Sequence, residues 1–237
     1  MPLSAVLPLM APTFLPMGDC GIRVAFGDEI SPRIGERVQR FCRRLESVPV
    51  AGVTEWVPGY ATVTVYYQPW CVSYQSLCDE LRRLGRRRGL ISGVQGSTVE
   101  IPICYDGAFG PDLDAVADAH GLRPADVIQR HVRPLYRVYF LGFLPGFAYL
   151  GGLLPSLVTS RRSTPRTAVP AGSVGIAGAQ TGVYPLESPG GWQIIGRTPM
   201  CLFDPEREPP ALLRTGDRVK FVAITAEEYE ERARGSD

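Results

Sequence analysis

The segment from Tyr139 to Asp204 constrains the fold of this chain more than any other feature. It contains seven prolines, and eleven of the chain's 26 glycines lie between Gly142 and Gly196. Proline fixes φ and removes an N–H donor, whereas glycine permits positive φ and close backbone approach. The segment also contains enough large apolar side chains to bury surface and become ordered. They are Phe143, Phe147, Tyr149, Tyr184, Trp192 and Ile194. We therefore predict short strands joined by rigid turns, and surfaces of that kind often carry binding sites.

Length and charge argue against several classes of function. The chain has 237 residues, enough for one large or two small domains. Its net charge of +1 indicates neither a nucleic-acid footprint nor a strongly acidic partner. Lys220 is the only lysine and no GxxxxGK(S/T) phosphate loop is present, which argues against a lysine-based nucleotide site. We expect no cofactor on this chain, and if ATP takes part in the function, another chain binds it.

Neither a metal site nor a membrane anchor is indicated. The six cysteines form no CxxC pair and no finger-like spacing, and the two histidines are not paired. Free thiols in apolar runs are typical of a reducing cytoplasm, which is the expected location. Residues 1–12 are apolar but are broken by prolines and lack a basic start. We interpret them as a loose extension, not as a signal peptide or an anchor.

Hydrophobic periodicity predicts an α+β domain over residues 13–95. Apolar residues recur at helical spacing after Ser31-Pro32 and again over about 73–89, where the basic run Arg86–Arg88 ends the helix. Strands are predicted at 20–26, 53–57, 60–67 and 98–105. The resulting β-α-β-β-α-β order is that of a ferredoxin-like unit, although the last strand could instead belong to the next domain. The arginine run is interpreted as a solvated helix end, with docking of an acidic partner as the alternative.

Residues 96–237 are predicted to form a second, β-rich domain. The glycine-containing stretch 89–97 is the expected linker, and two short helices follow at about 112–120 and 124–132. Beyond them, short strands alternate with Gly/Pro turns, which favours a closed barrel or a sandwich. A final polar segment over 226–234 is predicted to be a peripheral helix.

Only two histidines are available for acid–base chemistry. His120 precedes Gly121 at a predicted helix C-terminus, where an imidazole caps carbonyl groups. His131 lies near the end of the next helix, just before the glycine-rich segment, so it is the candidate proton carrier, with capping as the alternative. The absence of a GxSxG elbow and of Ser-His-Asp spacing argues against a self-contained hydrolase.

Hydrogen-bond donors on rigid turns are the remaining candidates for a binding site. Arg166 and Arg197 each lie between turn-forming residues, and a guanidinium binds carboxylate or phosphate in two-point geometry. Gln180 offers an amide donor and acceptor, which suits an amide or ureide ligand. The alternative is that the arginines tie loops to carbonyl groups inside a glycine-rich barrel.

A glycine turn adds backbone donors to these side chains. Gly190, Gly191 and Trp192 follow Pro189, and the N–H groups of such a turn can face an anion. We therefore group this turn with Arg166 and Arg197 as a predicted substrate-binding set.

The same residues lie in long motifs that resemble the allophanate hydrolase subunit 1 family. The motifs are GFLPGFAYLGGL, PRTAVPAGSVGIAGAQTGVYP, SPGGWQIIGRTP and LFDP, followed by TGDRVKF, while FLPMGDCGIRVAFG and EWVPGY resemble the family's N-terminal region. The resemblance covers residues 14–222. It implies a ferredoxin-like N-terminal domain, a cyclophilin-like β-barrel and a partner subunit.

The resemblance also implies an activity and roles for the candidate residues. The family includes the B-type subunit of an ATP-dependent 5-oxoprolinase, which opens the cyclic amide of 5-oxoproline to glutamate together with subunits of the C and A types. In this hypothesis Arg166 and Arg197 anchor a carboxylate or a phosphorylated amide oxygen, and Gln180 and Tyr184 orient the ring amide. His131 would carry a proton, and the glycine turn would stabilise developing negative charge.

Other members of the family imply two alternatives. One is a subunit of a urea carboxylase or allophanate hydrolase, which acts on urea-derived substrates and needs a biotin-carrying partner. The other is a non-enzymatic Kip-type inhibitor that docks on a sensor histidine kinase. All three share the same block of motifs, so the sequence leaves them open.

Overall fold

The computed structural model describes residues 11–86 and 96–235. Its backbone contacts divide the chain into two units, Met1–Gly93 and Val94–Asp237. Most of the predicted N-terminal extension and most of the predicted linker lie outside the described residues. The helix predicted over 73–89 is described as far as Arg86.

The described part of the N-terminal unit is a four-stranded antiparallel sheet with two helices. Its elements are β1 (Thr13–Met17), β2 (Gly21–Ala25), α1 (Pro32–Ser47), β3 (Val53–Pro58), β4 (Thr62–Tyr67) and α2 (Tyr74–Arg86). The strands are hydrogen-bonded in the order β1-β2-β4-β3. A single apolar core joins the two helices to the sheet. Each fully buried apolar side chain in such a core contributes about 1.5–3 kcal/mol.

Both helices form where the apolar period predicted them. Pro32 stands in the first turn of α1 directly after Ser31, a position where its missing N–H costs nothing. The side chains spaced by three or four residues all face the core, which is why the helices are held against the sheet. They are Ile34, Val38, Phe41 and Leu45 on α1 and Leu77, Leu81 and Leu84 on α2.

The strand that completes this sheet is β1, which the sequence pattern did not indicate. The segment TFLPM does not alternate clearly, and Pro16 cannot donate to a ladder, so β1 is confined to the edge beside β2. The strand predicted at 98–105 pairs within the C-terminal unit, so it belongs to the second domain. The described order is therefore β-β-α-β-β-α.

The C-terminal unit contains a closed barrel of seven strands. Its elements are β5 (Thr98–Cys104), α3 (Leu113–Ala119), α4 (Pro124–Val132), β6 (Tyr136–Leu141), β7 (Ala148–Gly151), β8 (Arg166–Val169), β9 (Ser173–Ala177), β10 (Gln180–Val183), β11 (Ser188–Gly190), β12 (Gln193–Arg197), β13 (Arg218–Ile224) and α5 (Ala226–Arg234). The barrel order is β10-β7-β6-β13-β5-β12-β9, and β9 pairs back to β10. The closed barrel, one of two architectures predicted from the turn-rich pattern, is confirmed.

A two-stranded ribbon and a C-terminal helix lie outside the barrel wall. Strands β8 and β11 form a separate antiparallel ribbon in which Gly190 pairs with Arg166. The polar helix predicted over 226–234 is present as α5 and has no buried residue. It begins with a reciprocal capping arrangement between Thr225 and Glu228, which satisfies two backbone donors of its first turn.

A histidine lies inside the barrel core. His131 is fully buried; its Nδ1 is 2.7 Å from the hydroxyl of Tyr105 and its Nε2 is 3.0 Å from the hydroxyl of Thr181. Because Thr181 donates its own proton to the carbonyl of Gly175, Nε2 donates to Thr181 and Nδ1 accepts from Tyr105. The ring stacks on Phe221 at 4.8 Å. Burial lowers the pKa of His131 to about 3, so the ring is a neutral part of the core.

This burial predicts a specific loss of stability in acid. The unfolded chain takes up a proton near pH 6.5 whereas the folded chain does not until about 3, so stability is lost as the pH falls through that window. The loss from this group is at most about 1.4 kcal/mol per pH unit. His131→Gln should lower the free energy of unfolding at neutral pH by about 1–3 kcal/mol and remove this part of the pH slope.

Urea unfolding of both proteins at several pH values between neutral and acid measures the slope. His120→Gln, which makes the same substitution at the other histidine, is the matched control. An unchanged slope in His131→Gln would contradict the account.

Candidate functional site

The carboxylate of Asp112 holds two arginines from a distant part of the chain. Asp112 lies directly before α3 and is only 4% exposed. Arg166 donates to both carboxylate oxygens, Nη1 to Oδ2 and Nη2 to Oδ1, each at 2.8 Å. Arg162 donates to Oδ1 at 2.9 Å, and the backbone N–H of Ile194 donates to Oδ2 at 2.7 Å. One carboxylate thus connects the start of α3, the loop before β8, β8 itself and β12.

This geometry fixes the charge of the site. The hydrogen bonds from Arg166 to Asp112 raise the pKa of Arg166, so its guanidinium is always charged. Two guanidinium cations and one carboxylate leave the cluster with one net positive charge. The side chains of Arg162 and Arg166 are 36% and 25% exposed, so this charge is accessible from solvent.

Two buried polar atoms at this site have no hydrogen-bond partner among the described residues. One is Nε of Arg162, in the cluster itself, and the other is Oγ of Ser188, on the neighbouring ribbon. Ser188 lies on β11, the strand that pairs with β8, and the backbone N–H of Arg162 donates to the carbonyl of Gly191 at 2.8 Å. A buried donor left without a partner costs about 1–3 kcal/mol, so such atoms indicate a ligand or ordered water.

An aromatic cluster adjoins this charged group. The rings of Phe147, Tyr184 and Trp192 meet edge to face, with centroids 5.4 Å apart for Phe147–Tyr184 and 5.6 Å apart for Phe147–Trp192. Burial raises the pKa of Tyr184 to about 12, so its hydroxyl stays protonated at neutral pH. A Cβ at Gly190 would lie 2.6 Å from that hydroxyl, which explains why glycine stands there.

Phe143 extends the cluster to the surface and has an unfavourable backbone conformation. Its φ is 72°, in the left-handed region that bulky residues rarely adopt, and it is 60% exposed. Its ring nevertheless meets Phe147 at 5.5 Å and Tyr184 at 6.4 Å. Strain of this kind persists where the surrounding structure imposes it, and it clusters at functional sites.

The predicted site residues fall into two groups. Arg166, Tyr184, Gly190, Gly191 and Trp192 are brought together around the ribbon and the aromatic cluster. The structure does not bring the other three into this group.

Gln180, Arg197 and His131 lie apart from one another. Gln180 pairs with Ala177 at one end of β9 and Arg197 pairs with Ser173 at the other. Four residues along a strand correspond to about 13 Å. Arg197 donates a hydrogen bond through Nε to the backbone carbonyl of residue 171 at 2.8 Å. It therefore ties a loop to a carbonyl group, which is the alternative to a ligand-binding role. His131 is enclosed in the core, so the condition for a proton carrier, a ring facing the pocket, is not met.

Three residues of the site were not singled out from sequence. Asp112 stands at the start of the helix predicted over about 112–120, but its side chain does not cap α3 and accepts hydrogen bonds from the arginines instead. Arg162 and Ser188 carried no local signal, although Arg162 lies four positions before Arg166. Their role depends on contacts with residues far along the chain.

Other kinds of site find no support in the part of the chain that the structure describes. No group of three or more His, Cys, Asp or Glu side chains there could hold a metal ion. No helix within the described ranges is long and apolar enough to cross a membrane. His120, placed at the C-terminus of α3 as predicted, lies 3.0 Å through Nε2 from the hydroxyl of Thr159.

Comparison with known proteins identifies relatives that span nearly the whole chain. The family model described as carboxyltransferase domain, subdomain C and D, matches residues 12–213. The chain is 43% identical over 224 residues to the B-type subunit of 5-oxoprolinase from Bacillus subtilis, covering 90% of this chain and 93% of that protein. It is 48% identical over 182 residues to the B-type subunit of 5-oxoprolinase from Haemophilus influenzae, covering 77% and 84%.

Similarity also extends to larger proteins. A urea amidolyase of Lachancea kluyveri is 23% identical over 92% of this chain, which corresponds to 14% of that protein. Among solved structures, TTHA0988 superposes with a TM-score of 0.75 at 40% identity, covering 87% of this chain and 40% of that chain. The K. lactis urea amidolyase superposes with a TM-score of 0.80 at 24% identity, covering 96% and 16%, a likeness of fold alone.

We expect Asp112→Asn to destabilise the barrel unit. The substitution keeps the shape of the side chain but leaves Arg162 and Arg166 facing a neutral group, and breaking a buried ion pair costs about 3–5 kcal/mol. Because both arginines are partly exposed, the loss here should be smaller, about 2–3 kcal/mol. Chemical denaturation measures it. Asp114→Asn, on the exposed side of α3, is the matched control and should change stability by less than about 0.5 kcal/mol. Equal effects of the two substitutions would refute the role given to Asp112.

Proposed function

This chain belongs to the carboxyltransferase domain family, subdomain C and D, and we propose that it is the B-type subunit of an ATP-dependent 5-oxoprolinase. The observation that carries the proposal is the similarity at 43–48% identity to B-type 5-oxoprolinase subunits, which in one case covers 93% of the relative. The complex would open the cyclic amide of 5-oxoproline to glutamate, with the chain inactive on its own.

The charge of the Asp112 cluster suits this substrate. 5-Oxoproline carries a single carboxylate at neutral pH, and the cluster carries one net positive charge at a partly exposed position. A guanidinium donates to a carboxylate in two-point geometry, and Arg162 has a buried Nε without a partner among the described residues. Arg162 and Arg166 would therefore hold the substrate carboxylate, while Asp112 keeps both side chains in position.

The aromatic cluster suits the ring of the substrate. Tyr184 and Trp192 meet edge to face beside the ribbon, and Phe143 extends the cluster to the surface. A five-membered lactam has an apolar edge that would pack against this cluster. Tyr184, protonated at neutral pH because burial raises its pKa, would donate a hydrogen bond to the amide oxygen. The backbone at Gly190 and Gly191 lies against this position and would face negative charge that develops there.

Opening an unstrained amide needs activation of its carbonyl, and ATP supplies it. The balanced reaction converts 5-oxoproline, ATP and two waters into glutamate, ADP and phosphate. This chain has no lysine-based phosphate loop, so a partner in the complex would bind ATP. The B-type designation of the relatives implies a complex of several different subunits. We propose subunits of the A and C types as those partners, in the cytoplasm.

The proposal includes the two fold families that the resemblance implies. A four-stranded antiparallel sheet with two helices supports a ferredoxin-like N-terminal unit in which β1 occupies the edge otherwise taken by a last strand. The closed barrel supports a cyclophilin-like C-terminal unit. Gln180, Arg197 and His131 lie outside the proposed site, so any part they play in the reaction stays a prediction.

A urea-type carboxyltransferase subunit is the second candidate. The similarity to urea amidolyase over 92% of this chain favours it, at a lower identity of 23%. It predicts turnover of urea-derived substrates with a biotin-carrying partner. Activity on 5-oxoproline without biotin distinguishes the first candidate from the second.

The proposal is tested with the complex assembled from the chain and its partner subunits. Arg162→Gln should lower kcat/KM for 5-oxoproline-dependent ATP hydrolysis by about 10–100-fold, because a charge-assisted hydrogen bond to substrate is worth about 1.5–3 kcal/mol. Asp112 keeps its pair with Arg166 in this variant, so the fold should persist. Arg214→Gln, at an exposed position of the same unit, is the matched control. Wild-type kinetics in Arg162→Gln, or no response of the intact complex to 5-oxoproline, would overturn the assignment.

A further inference from the structure

A pocket lined by arginines lies in the N-terminal unit. Its volume is about 280 Å³, and α1 and α2 supply most of its wall. Five of its lining residues are arginines: Arg37, Arg40, Arg44, Arg82 and Arg86. All its described lining residues belong to this unit, so it is built without any residue of the barrel.

The helical spacing explains why these five side chains converge. Positions 37, 40 and 44 of α1 and positions 82 and 86 of α2 each share one face of their helix. The two helices are joined across this face by a hydrogen bond, since Arg44 donates through Nη1 to the carbonyl of Gly85 at 2.7 Å. The arginines are therefore brought together by packing that the core of the unit requires.

Part of the set is already held in position. Arg37 donates through Nη1 to the carbonyl of Phe26 at 3.0 Å, and its guanidinium lies 5.3 Å from the centroid of the Phe26 ring. Arg82 pairs with Asp79 at 2.8 Å and lies 4.7 Å from the centroid of Phe14. Ordering these side chains before a ligand arrives lowers the entropic cost of binding.

The described lining of the pocket carries basic side chains and no acidic one. No Asp or Glu is among its described lining residues, and Asp79, which pairs with Arg82, does not line it. Residues 1–10 and 87–95 contain no acidic residue in their sequence. Burial, and next the charge of Arg40, lower the pKa of Arg37 and Arg44, as expected for cations that share one field.

Gly85 keeps the pocket open. A glycine inside a helix costs about 1 kcal/mol relative to alanine. A Cβ at this position would only make an ordinary contact, 3.8 Å from the ring of Phe41, so packing does not require glycine here. A larger side chain would instead project into the space that the arginines line.

We propose that this pocket binds a small anion that carries a phosphate group. A carboxylate is planar and is saturated by two guanidiniums and one N–H, as Asp112 demonstrates in this same chain. A phosphate or diphosphate carries more charge and accepts hydrogen bonds from several directions, which matches five guanidiniums around one cavity. The site is separate from the proposed 5-oxoproline site and would give the chain a second ligand.

Calorimetric titration of the full-length chain tests this proposal. Inorganic phosphate, pyrophosphate and ATP are the probes, at matched ionic strength and without divalent cations. We expect saturable single-site binding in the sub-millimolar range for pyrophosphate or ATP. Tighter binding of ATP than of pyrophosphate identifies a nucleotide as the source of the phosphate, and the reverse order identifies a free phosphate compound. No saturable binding of any probe, or tighter binding of citrate, would overturn the proposal.

Variants distinguish binding in this pocket from nonspecific electrostatic attraction to the chain. Arg40→Gln with Arg86→Gln should weaken binding at least about tenfold, since two charged donors are lost. The matched control, Arg43→Gln with Arg83→Gln, removes the same charge from the same helices at positions that do not line the pocket. Gly85→Leu should also weaken binding while leaving the charge unchanged. Equal weakening by the two double variants, or full binding by Gly85→Leu, would refute the pocket as the site. The readout is binding to the chain alone, so its outcome is independent of 5-oxoproline turnover.

Discussion

The arrangement of the barrel site depends on one buried carboxylate. Asp112 accepts four hydrogen bonds from three separate segments, which are the loop that contains Arg162, strand β8 at Arg166 and strand β12 at Ile194. A buried carboxylate is stable only when its oxygens are fully hydrogen-bonded and its charge is opposed. The requirement works in both directions, because the arginines need Asp112 to stay in place and Asp112 needs them to be buried at all.

Both units use clustered arginines, but the balance of charge around them differs. At the barrel site, one carboxylate compensates one of two guanidinium charges, which leaves one net positive charge beside the aromatic cluster. In the N-terminal unit, five arginines line one cavity whose described lining includes no carboxylate. The strong preference for arginine over lysine, with Lys220 as the only lysine, therefore has structural consequences, because guanidinium forks bind anions in fixed geometry.

Local pattern predicted the elements well and the site only in part. The amphipathic helices α1 and α2 and the barrel follow from apolar period and turn composition, which are properties of short windows. The edge strand β1 was missed because an edge needs no alternation and tolerates Pro16.

The site residues differ in how far the sequence indicates their position. The burial of His131 could be predicted, since it follows Val127 by four residues and both are buried on one face of α4. The contacts of Asp112 could not be predicted, because its partners lie 50 to 82 positions away. The strand register determines which candidate residues lie close together. Gln180 and Arg197 lie on strands that both neighbour β9, yet they pair with its opposite ends. Amino-acid composition does not predict this register.

In the proposed function, Asp112 holds Arg162 and Arg166 beside the aromatic cluster, where they bind the carboxylate of a small cyclic amide. A crystal structure of the assembled complex with 5-oxoproline tests this most directly. We expect the ligand carboxylate within hydrogen-bonding distance of the Nε of Arg162, with the lactam ring against the aromatic cluster. A ligand bound elsewhere, with that Nε still lacking a partner, would contradict it.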